Sequence, residues 1–325
     1  MRYRLFAPLG RDLSVLVLGT ALYRTPGEDV STELLDAWFE LGGNIVDCGR
    51  EYGDSERVLG RWLRHSGRRD DVVVLTKGAH PIEGRRRVTP ADISTDLLES
   101  LSVLGCRQVG IYMLHRDDPS QPVGPLVEAL NEHRRAGRIG AFGASNWTTQ
   151  RLEEANAYAQ AHDLEALTCS SPGLSLAQQL EPPWLDCLAA DDARSRAWYE
   201  RMGMPVFAWS SQAAGFFAGV AGPDVVRVYG SEANVERLRR ATELGARIGH
   251  TANAVALAWV LAHPFPTHAI IGPRTVDELL RSVTALEIKL MPEEWRWLNL
   301  ETDAVGGRGA RLSALADVEE LDGAS

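Results

Sequence analysis

The sequence predicts an α/β fold, a (β/α)8 TIM barrel in a single domain of 325 residues, with the barrel at about 14–285 and a C-terminal helix and tail at 286–325. Two observations carry this reading. Eight short runs of apolar and β-branched residues are nearly continuous in character, as parallel strands covered on both faces must be. Amphipathic helical stretches separate them over roughly 250 residues, the usual span of such a barrel. An open doubly wound sheet is the competing architecture, but no G-x-G-x-x-G follows the first strand.

In chain order the strands are expected at SVLVLG (14–19), NIVD (44–47), VVVLTK (72–77), VGIYMLH (109–115), IGAFGASN (139–146), ALTCSS (166–171), PVFAWS (205–210) and HAIIG (268–272). Between them, Ile93, Leu97, Leu98, Leu101 and Leu104 keep one helical face apolar, and Val123, Leu126, Val127 and Leu130 do so in the next segment. Thr89, Pro90 and Asp92 have the layout of an N-cap, a first-turn proline and an acidic third position. The last 20 or so residues, GGRGARLSALADVEELDGAS, read as a mobile tail or a loop over the barrel mouth.

Composition excludes several classes. The formal charge is −10, from 34 basic against 44 acidic residues, so nothing attracts a phosphate backbone in general and no nucleic-acid partner is expected. No uninterrupted apolar window approaches the ~18 residues a membrane span needs, and a soluble, cytoplasmic protein with no membrane partner is expected. Cys48, Cys106, Cys169 and Cys187 are widely separated and form no C-x-x-C pair, which reads as reduced core cysteines. HRDD at His115 lacks the downstream Asn of a kinase loop, because Pro122 stands there, and Trp147 replaces the closing Gly of a nucleophile elbow. No metal-ligand motif is present, and oligomeric state is not legible.

A barrel of this kind places its chemistry at the C-terminal ends of the strands. Asp47, Lys77 and His115 end three neighbouring strands, and Tyr52 follows Asp47 by five residues. Any one of them alone is an ordinary solvated strand end; four different ionisable types at one rim form a set. A tyrosine with an ordinary pKa of about 10 needs help to exchange protons near neutrality. A nearby ammonium lowers that pKa, and a carboxylate fixes the ammonium. Only Lys77 and Lys289 among the basic residues are lysine, so Lys77 marks a place where a compact point charge is wanted.

The stretches NIVDCGREYGDSERVLG, VVVLTKG, IYMLHRDD, GRIGAFGASNW, PVFAWSS and IIGPRTVDELLRS, in this order, resemble the aldo-keto reductase superfamily. The resemblance implies NADPH bound in an extended conformation without a Rossmann domain, and hydride transfer to an aldehyde or ketone or from an alcohol. It makes Tyr52 the general acid, Lys77 and Asp47 its pKa-lowering pair, and His115 the residue that orients the substrate. Ser145 and Asn146 match the holders of the nicotinamide carboxamide, with Gly19 and Thr20 at the end of the first strand beside them. Trp209 stands where the family stacks a tyrosine on the nicotinamide. Ser210, Ser211 and Gln212 run along the pyrophosphate, and Gly272, Arg274 and Thr275 reach the adenosine end. The chain departs from the pattern at Ser171, where a Gln is usual, and at Glu278 and Ser282, where Gln and Asn are usual. The charge of Glu278 weakens the preference for NADPH, so NADH stays possible.

Tyr23, Trp147 and Phe216 are candidate walls of the substrate pocket, joined by Arg50, Leu174, Trp184 and Phe217. The insert at 181–198 is expected to rim the same mouth and to gate access to it. The competing function is a cofactor-binding sensor or scaffold subunit of the same fold that turns over slowly or not at all.

Overall fold

A computed structural model describes residues 1–21 and 28–303. Tyr23 and the tail beyond Asp303 lie outside the described residues. The chain opens with an antiparallel hairpin that the sequence patterning did not reveal, β1 (Tyr3–Phe6) paired with β2 (Arg11–Ser14). The barrel strands follow as β3 (Leu16–Gly19), β4 (Ile45–Asp47), β5 (Val73–Gly78) and β6 (Val109–Leu114). The second half continues with β7 (Ile139–Ser145), β8 (Ser170–Ser171), β9 (Val206–Ala208) and β10 (Thr267–Ile271). Every barrel pairing is parallel, and β10 pairs with β3 to close the ring.

The first-half helices are α1 (Glu28–Glu40), α2 (Ser55–Ser66), α3 (Pro90–Leu104) and α4 (Val123–Arg135). They are followed by α5 (Thr149–Ala161), α6 (Ala193–Met202), α7 (Pro223–Tyr229) and α8 (Glu232–Ile248). The last are α9 (Ala252–Leu261), α10 (Val276–Val283) and α11 (Pro292–Leu298). The start of α3 has the expected cap: the Thr89 hydroxyl accepts from the Asp92 N–H at 3.2 Å and Pro90 follows it. No described helix is long and apolar enough to cross a membrane, and the four cysteines are free.

Two packed regions follow from strand alternation. Val17, Ile45, Leu75, Ile111, Met113, Ala141, Cys169 and Phe207 fill the barrel interior, and the hairpin adds Phe6 and Leu13 to that cluster. A larger apolar layer joins the outward strand faces to the helices. The hairpin explains why the first strand begins at Leu16: Ser14 pairs with Tyr3 instead of entering the barrel. The sixth barrel strand, expected over 166–171, shortens to Ser170–Ser171, and the seventh stops at Ala208. Ser210 has a φ of 50°, a left-handed backbone that cannot continue a strand.

Candidate active site

The interior face of the barrel ends in charge. Side chains two residues apart share a strand face, so Asp47 follows Ile45, Lys77 follows Leu75 and His115 follows Met113 on the side that fills the barrel. Register brings them together, with Asp47 opposite Leu75 and Lys77 opposite Met113. The Lys77 ammonium donates to Asp47 Oδ1 and, at 3.2 Å, to the Cys48 carbonyl. Both residues are buried.

Tyr52 reaches the same point from the turn after β4, where its N–H donates to the Gly49 carbonyl at 3.0 Å. Its hydroxyl stands 3.4 Å from His115 Nε2, and Lys77 Nζ lies 4.9 Å from the centre of its ring. The four residues that the sequence singled out therefore meet in one cluster. Asp96 and the buried Arg87 brace its edge: Arg87 donates two bonds to Asp96, whose carboxylate also accepts from the Ala79 N–H at 2.8 Å.

Burial sets the protonation states. It pulls the Lys77 pKa down, but the Asp47 and Tyr52 oxygens outweigh it and the net direction is upward, so the ammonium is held. Burial raises the Tyr52 pKa, and Lys77 only partly offsets this; the phenol lies above its ordinary value, not below it. This departs from the expectation of a lowered pKa, because desolvation of the phenolate exceeds the pull of one ammonium that a carboxylate already neutralises. Burial, then Lys77, Arg116 and His80, push the His115 imidazole well below its usual range, so it is neutral.

The second half of the barrel supplies the remaining candidates. Ser145 Oγ donates to the Ser171 carbonyl at 2.7 Å, and Ser171 Oγ to the Phe207 carbonyl at 2.7 Å. Asn146, at a φ of 60°, donates to the His115 carbonyl at 3.1 Å and to Ser145 Oγ at 3.0 Å. Its Oδ1 accepts from the Leu188 N–H at 3.1 Å. Thr20 Oγ1 donates to the Asp47 carbonyl at 2.9 Å and is also bonded to Ser55 Oγ. Gly19 lies against β10: a Cβ there would meet Ile270 Cγ2 at 2.8 Å.

Trp209 is half-buried, and its ring passes over Gly173, where a Cβ would come within 3.0 Å of it. Among the described residues its buried Nε1 has no partner, and neither has His115 Nδ1. Ser211 Oγ donates to the Ile270 carbonyl at 2.7 Å, and Gln212 Nε2 to Ser282 Oγ at 3.2 Å. Gly272, Arg274 and Thr275 are exposed before α10. Thr275 caps that helix by accepting from the Glu278 N–H at 3.2 Å, and Arg274 pairs with the Glu278 carboxylate at 2.9 Å. Trp147 is buried, with its Nε1 on the Arg116 carbonyl at 3.1 Å and the Arg151 guanidinium 5.2 Å from its ring. Phe216 is half-buried against Phe217 and Tyr229.

The insert forms a strap across this rim. Gly173 N–H donates to the Leu188 carbonyl at 2.9 Å and Ala190 N–H to the Gly173 carbonyl at 2.7 Å. Arg116, missed from sequence, bonds the carbonyls of His115 at 2.9 Å and Leu185 at 3.3 Å. Its adjacency to His115 was the available signal.

A closed parallel barrel of eight strands, with a phenol, an ammonium, a carboxylate and a neutral imidazole gathered at its C-terminal mouth, defines the (β/α)8 class. Its membership is specific. The sequence model of the Aldo/keto reductase family matches residues 15–299, and the chain belongs to that family. It is 30% identical over 320 residues to the uncharacterized oxidoreductase YrpG of Bacillus subtilis (strain 168), covering 92% of this chain and 95% of that protein. It is 28% identical over 311 residues to the aldo-keto reductase str7 of Strobilurus tenacellus, covering 90% and 88%. A putative voltage-gated potassium channel subunit beta of Schizosaccharomyces pombe is 25% identical over 320 residues, covering 90% of each. The chain is an oxidoreductase of the kind that reduces carbonyl groups.

Proposed function

We propose that the protein reduces an aldehyde or ketone to an alcohol, or runs the reverse, with NADPH as hydride donor and Tyr52 as general acid and base. The observation that carries this is the 3.4 Å approach of Tyr52 Oη to His115 Nε2 above the buried Asp47 and Lys77 pair. A carbonyl oxygen within hydrogen-bond reach of both atoms accepts from the phenol and from the Nε2–H tautomer of a neutral imidazole. As negative charge develops on the oxygen, Tyr52 donates its proton. Lys77 then faces the phenolate, and Asp47 keeps Lys77 charged and in place.

The reduced nicotinamide supplies the hydride when bound. The residues present suit such a ligand: Trp209 offers a flat ring, half-buried, with a buried Nε1–H that has no partner among the described residues. Ser145, Asn146 and Ser171 would hold the carboxamide end, with Gly19 and Thr20 beneath. Ser210, Ser211 and Gln212 would follow the pyrophosphate. Gly272, Arg274 and Thr275 would meet the adenosine phosphate at the start of α10, beside Glu278 and Ser282. Glu278 already engages Arg274, which leaves NADH as a second donor. Asn146 is shared between the carboxamide site and the strap, so ligand binding and strap position are linked. The free cysteines suit a reducing, cytoplasmic setting.

The test is loss of NADPH absorbance with a panel of simple aldehydes, in the native protein and in Tyr52→Phe. Turnover that vanishes in the variant while NADPH still binds supports the reading. NADPH binding with no turnover across the panel favours the second reading, a cofactor-binding subunit, which the similarity to the potassium channel subunit makes specific.

A further inference from the structure

Tyr52 and Lys77 stand on different segments, one in the turn after β4 and the other near the end of β5. Two links through Arg50 join them. Its N–H donates to the Lys77 carbonyl at 3.0 Å, which ties the two backbones together. Its side-chain Nε forms an ion pair with Asp96 Oδ1 at 3.3 Å, and Asp96 Oδ2 accepts from the Ala79 N–H at 2.8 Å. A ring of polar contacts therefore leaves the β5 segment at Lys77, passes through Arg50, two residues before Tyr52, crosses to α3 and returns at Ala79.

Each part of this ring is constrained. Asp96 is buried, and Arg87 donates to both its oxygens, at 2.6 and 3.0 Å. Ala79 has a φ of 60°, a left-handed backbone that disfavours a residue with a Cβ, and the bond to Asp96 helps to offset that strain. The segment lies directly on α3, since a Cβ on Gly78 would come within 2.7 Å of Asp96 Cβ. It also borders the imidazole: the His115 N–H donates to the Gly78 carbonyl at 2.7 Å, and the His80 ring lies 4.9 Å from the His115 ring. Arg50 pairs further with Glu51 at 2.6 Å and Glu99 at 2.7 Å, so three carboxylates share its guanidinium.

We propose that Arg50 and Asp96 act as one positioning pair that sets the Tyr52 hydroxyl against Lys77 and His115, and so governs the rate of proton delivery without touching substrate or cofactor. This rests on the reading of Tyr52 as proton donor. The charges that act most on the phenol are those of Lys77, Asp47 and Arg116, so the loss of Arg50 or Asp96 reaches Tyr52 through position rather than through charge.

The experiment measures kcat and KM for hexanal and the NADPH dissociation constant in the native protein, Arg50→Met, Asp96→Asn and the double variant. Arg50→Met is expected to fold, because the side chain is partly exposed and Asp96 keeps Arg87. Each single variant lowers kcat about tenfold, as a misplacement of less than ~1 Å would, with KM and the NADPH dissociation constant changed less than about twofold. The double variant loses no more than the more damaging single one, since the same link is broken twice. The solvent deuterium isotope effect on kcat rises, because proton delivery has become slower than the steps around it. A raised KM with kcat unchanged would make Arg50 a wall of the substrate pocket and overturns the proposal. So do losses that multiply in the double variant, or a lowered Tm with kcat and isotope effect unchanged, which would leave the pair with a structural role alone. If the native protein does not reduce hexanal, the proton-donor reading fails for this substrate and the positioning is judged separately, by crystal structures. A Tyr52 hydroxyl out of hydrogen-bond reach of His115 Nε2 in Arg50→Met then supports the pair, and an unmoved Tyr52 overturns it.

Discussion

Asp47 and Lys77 end or lie within β4 and β5 and His115 directly follows β6, whereas most candidate cofactor residues of the second half, Asn146, Trp209 to Gln212 and Gly272 to Thr275, lie in loops beyond the ends of β7, β9 and β10. Strands β5 and β6 run for six residues each, but β8 has two and β9 three. Asp47, Lys77 and His115 inherit their direction from the alternation that packs Ile45, Leu75 and Met113. Asn146, Ser210, Ala213 and Ala214 take left-handed backbone instead, at φ of 60°, 50°, 48° and 51°. Each such non-glycine residue costs on the order of 1–3 kcal/mol, which the surrounding hydrogen bonds must offset. The contrast separates two tasks. On the proposed function, proton transfer is mounted on the ladder, and recognition on a rim whose shape is set by loops and a strap.

The sharpest way to break this comparison is at the proton donor. Tyr52→Phe is expected to lower kcat/KM by about a thousandfold, near 4 kcal/mol, with the NADPH dissociation constant changed less than twofold. Parallel loss of NADPH binding, measured by fluorescence titration, would show that the first half also carries recognition. Lys77→Met tests the rigidity of that half directly. It strands the Asp47 carboxylate in the barrel interior, and urea unfolding should show a loss of about 3–5 kcal/mol. The double variant Lys77→Met, Asp47→Leu should regain most of that stability without activity. A single variant as stable as the native protein would mean that the pair is not buried as described.

Much of the first half was legible because its signals are local. A strand ending in an ionisable residue can be read from sequence, and strand order then brings Asp47, Lys77 and His115 to one place. The sequence did not disclose the sign of the Tyr52 shift, because burial is a property of the assembled mouth. Nor did it disclose the hairpin that carries Phe6 and Leu13 into the barrel interior, since two four-residue strands leave little pattern. The second half was read too regularly. ALTCSS has the composition of a strand, yet only Ser170 and Ser171 join the ladder. The double use of Asn146 depends on Leu188, 42 residues away, and no spacing rule predicts it.

A smaller effect separates the halves by pH. His268 on β10 stacks on Phe207 of β9, with ring centroids 4.8 Å apart. Burial pushes its pKa down to about 4, partly opposed by the bond to the Ser14 carbonyl, and burial pushes His263 to about 3. Both lie below the unfolded value of about 6.5, so neither costs stability above that pH. As pH falls from 6.5 the unfolded chain takes up protons that the folded one refuses, and at pH 5 each histidine withdraws about 2 kcal/mol. Urea unfolding at pH 7, 6 and 5 should follow that decline, and His268→Gln should flatten it. An unchanged slope would mean that His268 is protonated in the folded barrel.

The smallest expected effect lies farthest from the chemistry. Glu278 binds the Arg274 guanidinium at 2.9 Å and accepts from the Arg274 N–H at 2.8 Å, so it both shapes the turn before α10 and cancels its charge. The Arg274 side chain is 67% exposed, and an ion pair that open contributes less than ~1 kcal/mol to stability. Glu278→Gln keeps an acceptor for the backbone bond and removes the charge. Stability should hardly move, while a phosphate on the adenosine ribose would lose a repelling carboxylate and gain a free guanidinium. The ratio of kcat/KM with NADPH to kcat/KM with NADH is therefore expected to rise about threefold to tenfold, and more at low salt, where screening is weakest. Arg274→Ala should move the ratio the opposite way. If both variants leave it unchanged across ionic strength, the adenosine phosphate does not reach the start of α10, and the second half of the barrel holds its ligand by the nicotinamide end alone.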